Sequence, residues 1–311
     1  MKQMFRDAQV QAEFEANGFV KLPWLSEEDV AELRALYLQV AAQTPDGFFT
    51  SYAVPDAAMK TAVRDGILKL FELRLRATFV DPLPLLCSFI TKTRGDGKAE
   101  YISAHQDWTF VDETEGFVSI NIWCPLEPTS DHNGNLCLVP GSNHLRRYPR
   151  LAEPGDNPYK AYYDLLKQAS VAVPTSLGEA LLFDNAVIHF STRNQTESQR
   201  LVAGAMVVDQ SAKQVLYYQN ADDGGMVDEY RSNIDYFIQK PFGARPDTFL
   251  RSIPKTPVPA VADEIRTLFP QIRMPDITAS VPPPASSQVP LSPALQNTRS
   301  FFGRAVKRLF G

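Results

Sequence analysis

The stretch Ser103 to Glu113, SAHQDWTFVDE, sets His105 and Asp107 one residue apart. In an extended strand alternate side chains leave the same face, so this imidazole and this carboxylate can reach a single ion. Two ligands do not hold an ion, and the third must come from elsewhere in the chain. His189, in LLFDNAVIHFSTRN, is the best placed, because it sits in a second strand-like run just after a turn. Two neutral imidazoles and one carboxylate on one face of an octahedral ion leave other positions open, as in non-haem Fe(II) oxygenases, whereas a tetrahedral structural zinc site is closed. Eleven residues after His189, Arg200 opens RLVAGAMVV. A guanidinium on an adjacent inner strand can clamp a distal carboxylate through two parallel charge-assisted hydrogen bonds, which a lysine cannot do. A bound 2-oxoglutarate has that requirement, and the implied reagents are Fe(II), 2-oxoglutarate and O2, with ascorbate as reductant in vitro.

Each of these residues has an ordinary reading as well. An isolated HxD is usually a structural or surface pair, and Arg200 alone could be a surface ion-pair partner; the conjunction argues for chemistry. Of the other histidines, His144 in PGSNH reads as a residue fixing its loop and His132, among Asp131, Asn133 and Gly134, as facing solvent. Asp112, Glu113 and Glu115 just past the HxD read as a solvated loop, with a substrate-facing rim as the alternative. Tyr159, Tyr162, Tyr163, Tyr217 and Tyr218 fit an apolar substrate and fit ordinary packing equally well.

The elements that must position these residues are legible in the periodicity. SEEDVAELRALYLQVAAQ begins with a capping box, Ser26 to Asp29, and puts Val30, Leu33, Tyr37 and Val40 on one helical face. A second helix is expected from about Met59 to Phe79. From Leu85 the period becomes two, in short β-branched or aromatic runs separated by Gly, Pro, Asn and Asp turns, which predicts a sandwich or barrel rather than a parallel α/β sheet. The fold class expected is an all-β core with flanking helices. Between two strands, Arg146 to Ala169 is a polar insertion long enough to be a lid or substrate loop. After Asp209 the pattern weakens into mixed aromatic and polar sequence.

Three parts follow: residues 1–275 as one domain, 276–297 as a Pro/Ser-rich extended linker, and 298–311 as a basic amphipathic segment. The last carries Arg299, Arg304, Lys307 and Arg308 and no acid, so the body is more acidic than the net charge of −5 implies. An acidic body argues against nucleic acid as a partner. The basic segment could instead reach a partner groove or lie peripherally on an anionic membrane. With 44% hydrophobic and 22% charged residues in 311, a sizeable core is expected. Cys87, Cys124 and Cys137 form no CxxC pair and read as core residues in a reducing compartment. No signal-peptide or membrane-spanning run is apparent, which makes the cytoplasm the expected location. No pattern speaks to oligomeric state.

The blocks AHQDW, INIWCPLEPTSDHNGNLCLVPGSNH and GEALLFDNAVIHFSTRNQTESQRLVAGAMVV resemble the phytanoyl-CoA dioxygenase family of Fe(II)/2-oxoglutarate oxygenases. FEANGFVKLPWLSEEDVAEL resembles that family's N-terminus, so the likeness runs from about Phe14 to Val208. It implies a double-stranded β-helix, a jelly-roll barrel of the cupin type. It further implies that His105, Asp107 and His189 ligate iron and that Arg200 holds the remote carboxylate of 2-oxoglutarate. Trp123 and Ser191, and less directly Lys92 and Gln106, match positions that line the co-substrate pocket. The implied reaction hydroxylates an unactivated C–H bond of a small-molecule, lipid-like or acyl substrate while 2-oxoglutarate becomes succinate and CO2. Halogenating relatives carry a small residue where this chain has Asp107, which favours hydroxylation. A catalytically inactive jelly-roll binding module, tethered through its C-terminal segment, is the competing expectation.

Overall fold

The period-two runs become two facing antiparallel sheets, with helices packed on the outside of the larger one. The computed structural model describes residues 1–41, 47–94, 102–145, 148–152, 162–255 and 259–272. Both the expected linker, 276–297, and the basic segment, 298–311, lie outside these, as do residues 146–147 and 153–161 of the insertion, Tyr159 among them.

In chain order the elements are α1 (Ala8–Asn17), β1 (Phe19–Pro23), α2 (Glu27–Val40), β2 (Phe48–Thr50), α3 (Ala57–Thr78), β3 (Pro82–Lys92), β4 (Ile102–His105), β5 (Ile120–Pro125) and β6 (Leu136–Leu138). There follow α4 (Tyr163–Leu166), β7 (Val171–Val173), β8 (Glu179–Asp184), β9 (His189–Ser191), β10 (Arg200–Asp209), β11 (Val215–Gln219), β12 (Met226–Arg231), α5 (Ile234–Gln239), β13 (Thr248–Pro254) and α6 (Pro259–Leu268). The larger sheet has the order β1-β8-β5-β10-β3-β2 and the smaller one β4-β9-β6-β7; β11-β12-β13 form a separate meander. Two facing sheets of this kind make the double-stranded β-helix.

Alternation decides which residues face where. Ile120, Ile122 and Cys124 of β5, with Ala203, Ala205 and Val207 of β10, point outward and are buried under Val30 and Leu33 of α2 and Val63, Ile67 and Phe71 of α3. Each fully buried aliphatic or aromatic side chain here contributes about 1.5–3 kcal/mol. The opposite parity faces the smaller sheet: Trp123 of β5, Leu181 and Phe183 of β8, and Val202 of β10 pack with Leu136 and Leu138 of β6. The expected capping box is present, since Ser26 and Asp29 exchange side-chain and backbone hydrogen bonds at the start of α2. Gly18 ends α1 in the left-handed region (φ 83°), where its N–H donates to the Phe14 carbonyl and the chain turns into β1.

The weakly patterned sequence after Asp209 is the meander β11–β13, in which Tyr217 and Tyr218 are buried packing residues. The three cysteines are free and buried. Among the described residues no helix is long and apolar enough to cross a membrane.

Candidate active site

His105 is the last residue of β4 and His189 the first of β9, and the two are directly paired across the smaller sheet. Pairing puts both imidazoles on the inner face, with ring centroids 4.3 Å apart. Asp107 lies two residues past the end of β4, its Oδ1 3.5 Å from His105 Nε2 and its Oδ2 3.9 Å from His189 Nε2. Among the described residues these three form the one cluster of His, Cys, Asp and Glu that could hold a metal, with donor atoms within 4.8 Å of each other.

The surroundings prepare each donor. His189 Nδ1 lies 3.0 Å from the Val187 carbonyl, which can only accept, so Nδ1 carries the proton and Nε2 keeps its lone pair toward the cluster. Burial, with His105 beside it, lowers the His189 pKa to about 4, against opposing effects of Asp107 and the Val187 carbonyl. The imidazole is therefore neutral at pH 7, the form that binds metal. Burial alone would raise the Asp107 pKa, but His189, His105 and the Asn121 amide hold the carboxylate down, at about 2. Asn121 Nδ2 donates to Asp107 Oδ2 at 2.6 Å and to Asn185 Oδ1 at 2.9 Å.

Arg200, the first residue of β10, is 2% exposed and stacks over Trp123, with Cζ 5.3 Å from the ring centroid. Its Nη1 donates to the Gly134 carbonyl, while its Nε is buried without a partner. No carboxylate among the described residues pairs with it, and burial, partly offset by Glu127, lowers its pKa to about 10, so it stays cationic. A buried cation with an unmet donor suits an anion that brings an acceptor. Gly134 (φ 89°) permits the approach: a Cβ there would lie 3.0 Å from Lys92 Cδ and 3.4 Å from Arg200 Nη1.

One cavity of about 160 Å³ joins the two centres, lined by His105, Asp107 and His189 as well as by Arg200, Trp123 and Ser191. The donor set suits a ferrous ion, and the unmet guanidinium suits the far carboxylate of 2-oxoglutarate, so the residues fit both groups. Lys92 does not line the cavity; its buried Nζ donates to Ser191 Oγ at 2.6 Å and to the Thr192 carbonyl at 2.7 Å, placing the serine hydroxyl from behind. Gln106 must be corrected from pocket member to support. Its parity is opposite to that of His105 and Asp107, and its Nε2 is engaged by the carbonyls of Leu145 (3.0 Å) and Ala186 (2.7 Å). His132 and His144 are exposed and take no part. Glu113 is not a solvated loop residue, because Arg150 holds it in a buried bidentate pair.

Three supporting residues escape sequence reasoning. Asn121 shares the inner parity of Trp123, two residues away, and could have been found by counting along β5. Asn185 and Arg150 act on Asp107 from distant turns, and no local pattern marks them.

A jelly-roll barrel that brings two histidines, an aspartate and a buried arginine to one cavity defines a non-haem iron, 2-oxoglutarate-dependent oxygenase. The model of the phytanoyl-CoA dioxygenase (PhyH) family matches residues 14–202, and the chain belongs to that family. Among solved structures, it is similar to the non-heme alpha ketoglutarate dependent carbocyclase SnoK from nogalamycin biosynthesis. That match has 20% identity and a TM-score of 0.51, and covers 67% of this chain and 86% of the other. It is also similar to the epimerase SnoN, whose structure is a complex with Fe3+, alpha ketoglutarate and nogalamycin RO. There the identity is 18% and the TM-score 0.50, with 80% of this chain and 95% of the other covered. At such identities these likenesses speak to the fold. No curated protein sequence matches the chain.

Proposed function

We propose that this oxygenase hydroxylates an unactivated C–H bond of a small, largely apolar or acyl substrate. The balanced reaction is R–H + O2 + 2-oxoglutarate giving R–OH + succinate + CO2. The observation that carries the reading is the lining of the cavity: beyond the metal ligands and Arg200, the described lining is mainly apolar, with Phe48, Leu86, Ile90, Phe183 and Met206. A charged substrate group would be desolvated there without a partner.

Bound iron supplies the redox chemistry with dioxygen that organic side chains lack. His105, Asp107 and His189 would hold it, leaving the cavity side for reactants. Arg200 orients 2-oxoglutarate by its far carboxylate, and Ser191 Oγ, fixed by Lys92, offers a further polar contact. Trp123 covers the guanidinium and keeps water from it. Asn121 keeps the Asp107 carboxylate turned toward the histidines. A retired binding barrel has no physical need for a buried arginine with no paired carboxylate among the described residues, next to an intact donor set. That argues against the inactive module. SnoK and SnoN are named as a carbocyclase and an epimerase, so the fold also serves other outcomes, and hydroxylation here rests on the retained Asp107 and the apolar lining.

Succinate formation tests the reading. Purified protein with Fe(II), ascorbate and 2-oxoglutarate should release succinate slowly, and faster when an apolar substrate is present. Asp107→Ala should abolish release while leaving the melting temperature near that of the wild type. An iron-loaded wild type that neither binds nor consumes 2-oxoglutarate would overturn the proposal. The composition of residues 298–311 supports, as part of the same proposal, peripheral contact with an anionic membrane.

A further inference from the structure

Asp107 lies beyond the end of β4, where no strand ladder fixes its peptide. Two other contacts do. Its N–H donates to the Asn185 carbonyl at 2.9 Å, in the turn that leads to His189. Its carbonyl accepts from Arg150 Nε at 2.7 Å. Arg150 is buried, and its remaining donors also have partners, since Nη1 and Nη2 donate to Glu113 Oε2 (3.0 Å) and Oε1 (2.7 Å). Its backbone is tied as well: Arg150 N donates to Thr109 Oγ1 at 2.9 Å, and Thr109 N donates to the Arg150 carbonyl at 3.0 Å.

A buried ion pair is weak evidence for a role in stability, because apolar replacements of such pairs are often neutral or stabilising. A guanidinium is nonetheless the group that this geometry demands. It must present a fork to one carboxylate while directing Nε at a carbonyl on another side, which an ammonium cannot do. That carbonyl belongs to the metal ligand itself.

We propose that Arg150, held in place by Glu113, is a positioning residue for the metal centre: it fixes the Asp107 peptide so that the carboxylate faces the two Nε2 atoms. The inference rests on the reading that His105, Asp107 and His189 hold a metal. It gives residues 148–152, within the region expected from sequence to be a lid or substrate loop, a part in supporting the site. It also gives the HxD-proximal glutamate a function other than lining a rim.

Co(II) binding to the metal-free full chain is the test, because its visible d–d bands report ligand geometry independently of turnover. The double variant Arg150→Met/Glu113→Leu removes the pair without leaving a buried charge. With folding confirmed by a urea transition, it should bind Co(II) about tenfold or more weakly, as is usual when support of a metal ligand is lost, and its bands should shift. Arg150→Lys should fall between it and the wild type. A folded double variant with wild-type affinity and band positions overturns the proposal. Should the double variant not fold, Glu113→Gln carries the test: weaker binding with shifted bands supports positioning, and unchanged values overturn it. The wild-type titration separates the two ideas, since a wild type that binds no Co(II) overturns the metal reading itself.

Discussion

Arg200, as the proposed holder of the far carboxylate of 2-oxoglutarate, would be costly in the free protein and useful in the complex. Its burial removes water from a cation, and the Gly134 carbonyl, the Trp123 ring and the charge of Glu127 offset that only in part. An incoming carboxylate recovers that cost on binding, which is why an unmet buried cation is a better mark of a ligand site than an exposed one. Truncating one partner of a buried, hydrogen-bonded charge pair costs about 2–5 kcal/mol. Arg200→Met should therefore weaken 2-oxoglutarate binding by at least about thirtyfold, measured by anaerobic calorimetry on metal-loaded protein, with metal affinity unchanged. Arg200→Lys should retain part of the affinity, because it keeps charge but not the bidentate fork. Equal binding by Arg200→Met would mean that the carboxylate is held elsewhere. That His105, Asp107, His189 and Arg200 meet at one cavity was legible in the sequence, because strand parity and a fixed spacing announce it. The place of Gln106 was not, because it lies past the end of β4 and its partners, the Leu145 and Ala186 carbonyls, come from distant loops.

Among elements, the helices α2 and α3 and the strands β3, β5, β8 and β10 follow directly from periodicity, since each has a face that must be buried. Short strands such as β1 and β2, and the meander β11–β13, were not legible, because their pairing depends on distant partners and half-buried aromatic residues blur the alternation. A joint that periodicity could not reveal lies at Gly18, between α1 and β1. Its carbonyl accepts from Asp184 N at 2.9 Å, and a Cβ there would lie 2.3 Å from Val187 Cγ2. The same turn supplies the Asn185 carbonyl to Asp107 and the Val187 carbonyl to His189. Gly18→Ala must then adopt an unfavourable left-handed backbone, costing about 1–3 kcal/mol, and also push on that turn. The expected result is a lower urea midpoint together with weaker Co(II) binding. A variant that loses stability but binds Co(II) as the wild type does would show that the turn absorbs the shift without moving the ligands.

At the scale of the whole molecule, residues Met1–Ile272 form one unit. The first unit ends on α6 and the short stretch after it, where Ile265, Phe269 and Ile272 are buried. These three side chains are the last apolar anchors of that unit. A chain ending at Ile272 should keep the wild-type urea transition and the wild-type rate of succinate formation. One ending at Lys255 should lose several kcal/mol, since each of the three anchors contributes about 1.5–3 kcal/mol. The two truncations separate a removable tail from a structural terminus. Vesicle sedimentation then assigns the tail its role: the body is acidic, and the four cations of residues 298–311 have no acid among them. Vesicles containing anionic lipid should carry down the full chain and leave the chain ending at Ile272 in solution, with the difference falling as salt is added. Equal sedimentation of the two chains would remove the membrane from the account, while a loss of succinate formation on cutting at Ile272 would show that the catalytic unit needs the residues beyond it.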